Sequence, residues 1–189
     1  MHNKSMKTKK NKQEVMENST RGIIFLFLRY IIILVSSIGS LWVFYYVLTP
    51  LTINSVALLF KLLFTTIISQ SSIFLNGTEI IINKACVAGS AFYLLFILTL
   101  SIPMNVKKRI KIILFSFVLL FILNILRIFV FGILYVNKFS LFDVTHKLVW
   151  YGLSSLFVFL IWILTIRIFH IKEIPVYDDF KFLRRLKIN

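Results

Sequence analysis

Four long stretches, 22–48, 86–102, 110–136 and 146–169, carry so little charge that water is a poor solvent for most of this 189-residue chain. A helix needs about 20 mainly apolar residues to cross the hydrocarbon layer of a bilayer. Each stretch comes close to that length or exceeds it. Hydrophobic residues make up 59% of the chain and charged residues only 15%, whereas soluble domains sit nearer about 45–50% apolar. The pattern excludes a disordered basic protein and argues against a soluble enzyme of ordinary core size. It predicts an all-α integral membrane protein.

The charges that remain are lopsided, 22 Lys and Arg against 7 Asp and Glu, for a net charge of +15. Such an excess also occurs in nucleic-acid-binding proteins. Here the cations cluster beside the ends of the apolar stretches, as the positive-inside rule describes, so the expected partners are membrane lipids and no nucleic acid. Six cations lie in 1–21, four in 103–111 and six from Arg167 onward, while Lys61, Lys84, Lys138 and Lys147 stand alone. Sixteen against four places both termini and the 103–111 turn in the cytoplasm. About four transmembrane helices satisfy that count, provided 51–69 does not cross. The expected organisation is a basic cytoplasmic tail over 1–21, one transmembrane domain over 22–169 and a second basic tail over 170–189.

Local signals refine this outline. The 22–48 stretch is too long for a signal-peptide core of about 7–15 residues, so it is expected to be a retained first span, stopped by Pro50. Arg29 lies about 10 Å along that helix from Gly22, near enough for its long side chain to reach the interface. Asn54, Lys61, Thr65 and Ser69 would share one face of a helix over 51–69, which predicts one interfacial or re-entrant helix. Asn76-Gly77 separates Ser72-Ile-Phe-Leu75 from Thr78-Glu-Ile-Ile-Ile82. That dipeptide favours two-residue hairpin turns and predicts a short β-hairpin at the outer face.

In this topology three chemically distinctive residues converge near the outer side. Cys86 opens the second span, His146 opens the last, and Arg127 lies about 14 Å beneath Val136 in the third. An arginine deep in a span costs about 2.5–3.5 kcal/mol even on a lenient scale, so its charge must be used, either to fasten the bundle or to serve chemistry. None of the four spans contains an Asp or Glu to pair with it, and Asn124 sits one turn earlier on the same face. A lone cysteine is often just a small buried hydrophobe. Cys86, however, stands at a helix start, where the dipole favours an anion, among the small residues Ala85, Ala88 and Gly89, with Ser90 one turn on. His146 is either an interfacial polar residue or a partner that takes a thiol proton and returns it to a leaving amine. Asp143, three residues earlier, suits an N-cap. A single cysteine excludes an intramolecular disulfide. One Cys and one His also fall short of the three ligands of a catalytic zinc, and no cofactor is expected.

The ordered set Asn83-Lys-Ala-Cys86-Val-Ala-Gly89-Ser90, Leu123-Asn124-Ile-Leu-Arg127-Ile128 and Phe142-Asp143-Val-Thr-His146, the last continuing through Tyr151-Gly152, resembles the exosortase/archaeosortase family of membrane transpeptidases, especially its short forms. The resemblance covers about 50–165. Larger members read Cys-Ser-Gly or Cys-Thr-Gly, whereas here glycine stands three residues after the cysteine. The resemblance implies a nucleophilic cysteine at Cys86, an essential arginine at Arg127 and a histidine at His146. It further implies a substrate class, exported proteins ending in a sorting motif, a hydrophobic span and a basic tail. The competing expectation is a non-enzymatic membrane scaffold or assembly subunit whose Arg127 binds a partner helix or a lipid headgroup.

Overall fold

The computed structural model describes residues 22–36, 41–69, 72–149 and 154–171, together with positions 20, 152, 177, 179–181 and 184. Apart from Thr20, the expected N-terminal tail lies outside the described residues. The first apolar stretch forms two helices rather than one, α1 (Gly22–Ser36) and α2 (Trp42–Phe60). Leu41, ahead of α2, has the left-handed backbone (φ 61°) that a continuous helix does not accommodate. Pro50 does not stop the helix; it lies inside α2. Proline removes one backbone hydrogen bond, but burial of Thr52, Ile53, Val56, Ala57 and Phe60 on the following turns holds α2 together. The expected helix over 51–69 is likewise corrected. Its first half belongs to α2, Lys61 closes that helix, and Thr66–Ser69 is strand β1. The β-branched run Thr65-Thr66-Ile67-Ile68 suits a strand, so Thr65 and Ser69 do not join Asn54 and Lys61 on one helical face.

Strand β1 pairs antiparallel with β2 (Ser72–Leu75), and β2 with β3 (Thr78–Ile81). The expected hairpin is therefore two strands of a three-stranded meander ordered β1-β2-β3. Its second turn is built as the dipeptide predicts, with Asn76 at φ 48° and Gly77 at φ 86°, positive values that Asn and Gly tolerate best. Ile73 and Leu75 bury one face of the sheet in the main core, beside Val56 and Phe60.

Beyond the sheet come the single turn α3 (Lys84–Val87), α4 (Gly89–Leu100), the long α5 (Val106–Val136), the short α6 (Phe142–Leu148) and α7 (Ser154–Ile168). Over the last expected span, His146 lies in α6 and α7 begins at Ser154, with Val149 and Gly152 between them in π-helical conformation. Helix α5 packs against α2, α4 and α7. Its inward residues include the polar Ser116 and Asn124, while Ile110, Leu114, Val118, Ile122, Leu126 and Val130 form an exposed row at four-residue spacing. Putting apolar side chains outward and small or polar ones inward suits lipid rather than water. The Ser116 and Thr165 hydroxyls meet at 3.1 Å between α5 and α7. Both α2 and α5 are long and apolar enough to cross a membrane.

The two ends of the bundle differ. At the start of α5, Arg109 donates to the Ile102 carbonyl at 3.0 Å. Near it Arg29 is buried in an ion pair with Asp179, which also accepts from the Tyr30 hydroxyl at 3.0 Å. Arg29 is thus neutralised by a carboxylate 150 residues away in sequence, at the Arg109 end of the bundle. Removing one partner of such a buried pair typically costs about 3–5 kcal/mol. At the other end, Phe60 packs on Phe129 with ring centroids 5.2 Å apart, and Gly132 leaves room for its ring, where a Cβ would overlap it. α1 and α2 together therefore run from the Arg109 end of α5 to the end that carries the sheet.

Candidate active site

Strand β3 leads through Ile82 and Asn83 into α3, the turn that carries Cys86. The Asn83 side-chain carbonyl accepts from the Cys86 backbone N–H at 3.1 Å, a cap that fixes the start of this turn. Ala88 then takes a left-handed conformation (φ 58°, ψ 32°) and α4 begins at Gly89. Cys86 therefore does not open a continuous span, since a bend separates its turn from α4. The bend falls on Ala88 although glycine is the residue that adopts this conformation freely. Gly89 is committed elsewhere: a Cβ on it would come within 2.7 Å of the Tyr45 ring.

From α5, Asn124 donates to the Cys86 carbonyl at 2.8 Å and reaches the Val87 carbonyl at 3.5 Å. One turn on, Arg127 Nη2 donates to the same Cys86 carbonyl at 3.4 Å, and its charge lies within electrostatic reach of the thiol. Two side chains of α5 thus grip the turn that bears the cysteine. Asn124 is buried and Arg127 half-buried, so these bonds form where water competes poorly and each is worth more than at a surface.

Cys86, Arg127 and His146 line one cavity of about 390 Å³, within the usual range for ligand sites of about 300–1,000 Å³. His146 enters from α6. Its ring stacks on Phe142 (centroids 5.4 Å apart, planes at 8°) and meets Phe131 of α5 edge-on at 5.3 Å. Among the described residues, aromatic contacts rather than a polar partner set its orientation. No hydrogen bond joins the imidazole to the Cys86 thiol, and the cavity lies open between α3 and α6. A general base is often loosely placed before substrate arrives.

The other expected site residues fall outside this cavity. Ser90 lies beyond the bend and is exposed. Asp143 is exposed in the first turn of α6, whose N-cap is Leu141 with no side-chain cap. The expected cap at Asp143 is replaced by an acidic side chain that suits the positive end of the helix. Glu79, Asn83 and Tyr135 also line the cavity. Asn83 carries a readable signal, a capping residue type three positions before Cys86. Glu79 and Tyr135 carry none, because only the register of β3 and the length of α5 bring them in.

The set combines a half-buried thiol, a cation held beside it, an imidazole and aromatic walls. Such a set suits nucleophilic attack on a carbonyl. No protein family, curated protein or solved structure matches this chain.

Proposed function

We propose that this chain is a multi-pass protein of the cytoplasmic membrane and a cysteine transpeptidase of exosortase type, acting at the outer face on C-terminal sorting signals of exported proteins. The carrying observation is that Cys86, Arg127 and His146, far apart in sequence, line one cavity. The Cys86 sulfur attacks the scissile carbonyl carbon, and the carbon–nitrogen bond breaks as His146 passes the thiol proton to the leaving amine. A thioester remains. An acceptor amine, a glycolipid or water then attacks it, giving its proton to His146, which returns it to the departing sulfur and regenerates the thiol. Arg127 stabilises the negative charge that develops on sulfur and oxygen, an effect strengthened where water is scarce.

The scaffold alternative is favoured by a different observation, the grip of Asn124 and Arg127 on the Cys86 carbonyl, which is what a purely structural fastener would make. A trapping experiment separates the two. The full chain, mixed with an exported protein bearing a hydrophobic span and basic tail, should accumulate a hydroxylamine-labile adduct on Cys86, seen by mass spectrometry. Intact substrate and an unmodified Cys86 would leave only the scaffold.

The orientation is tested separately. Reporters fused near Gly77 and Phe139 should register outside, and those fused after Lys111 and after Lys187 should register in the cytoplasm. A cytoplasmic signal at Gly77 places Cys86 on the wrong side for exported substrates.

A further inference from the structure

The cavity touches Glu79, Ile80 and Ile81, three consecutive residues of β3. Side chains alternate along a strand, so a cavity that meets only one face of a sheet touches every second residue. Contact with three in a row means that it runs along the strand's edge. β3 is an edge strand, paired with β2 alone.

The register shows which backbone groups point there. In a two-residue hairpin the residues flanking the turn exchange hydrogen bonds, and pairs then alternate. Leu75↔Thr78 and Ile73↔Ile80 are accordingly the bonded pairs, whereas Phe74↔Glu79 and Ser72↔Ile81 are not. The N–H and C=O groups of Glu79 and Ile81 therefore point away from β2. No hydrogen bond from another described residue satisfies them. Among the usual protections of an edge, β3 has its short length and the charge of Glu79 but no proline, so its outward N–H and C=O groups remain able to pair.

We propose that the substrate binds by strand addition, its extended backbone pairing with the outer edge of β3 at Glu79 and Ile81 and passing on toward Cys86. The proposal rests on the transpeptidase assignment for the identity of the occupant, an extended segment of a substrate protein. Its physical basis is independent: backbone donors and acceptors unpaired among the described residues, in a cavity, on a strand that ends three residues before the α3 turn. Main-chain pairing supplies affinity whatever the side chains, leaving the pockets to supply specificity.

The test uses the full chain in detergent micelles with Cys86→Ala, so that no bond-making step contributes. The probe is a fluorescein-labelled five-residue peptide of alanine, valine and serine, and its twin has every backbone amide N-methylated. Fluorescence anisotropy should show at least tenfold tighter binding of the native-amide peptide. Ile81→Pro, which removes an outward N–H from an edge strand that tolerates proline, should abolish that difference. Ile68→Pro makes the same change on the opposite edge, β1, and should preserve it. Failure of the peptide to bind, equal binding of the twin, or a difference that survives Ile81→Pro would overturn strand addition. None of these outcomes alters the Cys86 trapping result, so failure of the docking mode and failure of the chemistry are read separately.

Discussion

Cys86→Ala is expected to reduce processing of a co-expressed sorting-signal substrate to background, with the amount of chain in the membrane unchanged. The two halves of this result have separate causes. Removing the nucleophile of a hydrolase that forms an acyl intermediate lowers turnover on the order of 10⁶-fold. The fold, in contrast, holds this position through its backbone: Asn83 accepts from its N–H, and Asn124 and Arg127 donate to its carbonyl. Alanine keeps all three bonds. Cys86→Ser should be almost as inactive, because a hydroxyl gives up its proton far less readily than a thiol. Immunoblots for precursor and product, beside a blot for the chain, provide the measurement. Full processing by Cys86→Ala would leave the transpeptidase assignment without its nucleophile.

The sequence made the hairpin at Asn76-Gly77 legible, because the turn is chosen by two residues whose backbone freedom needs no tertiary help. The juxtaposition of Cys86 with Asn124 and Arg127 was legible for a related reason. Polar groups inside an apolar stretch must find each other or water, and topology limited the candidates. What escaped was decided by contacts distant in sequence. Pro50 reads as a stop, yet burial around Val56 and Phe60 carries α2 through it. The 65–69 segment is too short for hydrophobic periodicity to separate strand from helix, and pairing with β2 makes it β1. Arg29 finds a carboxylate 150 residues away, beyond the reach of any local pattern. The bend at Ala88 falls on a residue type that gives no hint of it, while the adjacent Gly89 is taken up by the close approach of Tyr45, a contact that no motif announces.

Arg127 is where catalytic and structural roles predict opposite results. Were it only a fastener, Arg127→Leu would be mild. Asn124 makes the shorter bond to the same Cys86 carbonyl, 2.8 Å against 3.4 Å, and would continue to hold α3 against α5. Leucine would also remove the cost of carrying a cation deep in a span, about 2.5–3.5 kcal/mol. If Arg127 stabilises charge that appears during the reaction, no neighbour replaces it. Glu79, the other charged residue among the described ones lining the cavity, carries the opposite sign. Turnover should then fall about 100–1,000-fold, the usual loss when an oxyanion donor is removed, in a chain that still inserts and folds. Arg127→Lys should lose most activity as well, since lysine keeps the charge but not the planar fork that reaches carbonyl and reacting centre together. Alkylation of Cys86 by iodoacetamide near neutral pH supplies a readout independent of substrate, and it should slow in Arg127→Leu as the cation beside the sulfur is lost. The companion variant Asn124→Leu reverses the pattern. It removes the shorter bond and leaves the charge, so it should lower the yield of folded chain more than the activity of the chain that does fold. An Arg127→Leu protein that is well folded, processes substrate normally and labels at the wild-type rate would assign the arginine to the scaffold and leave Cys86 and His146 without their electrostatic partner.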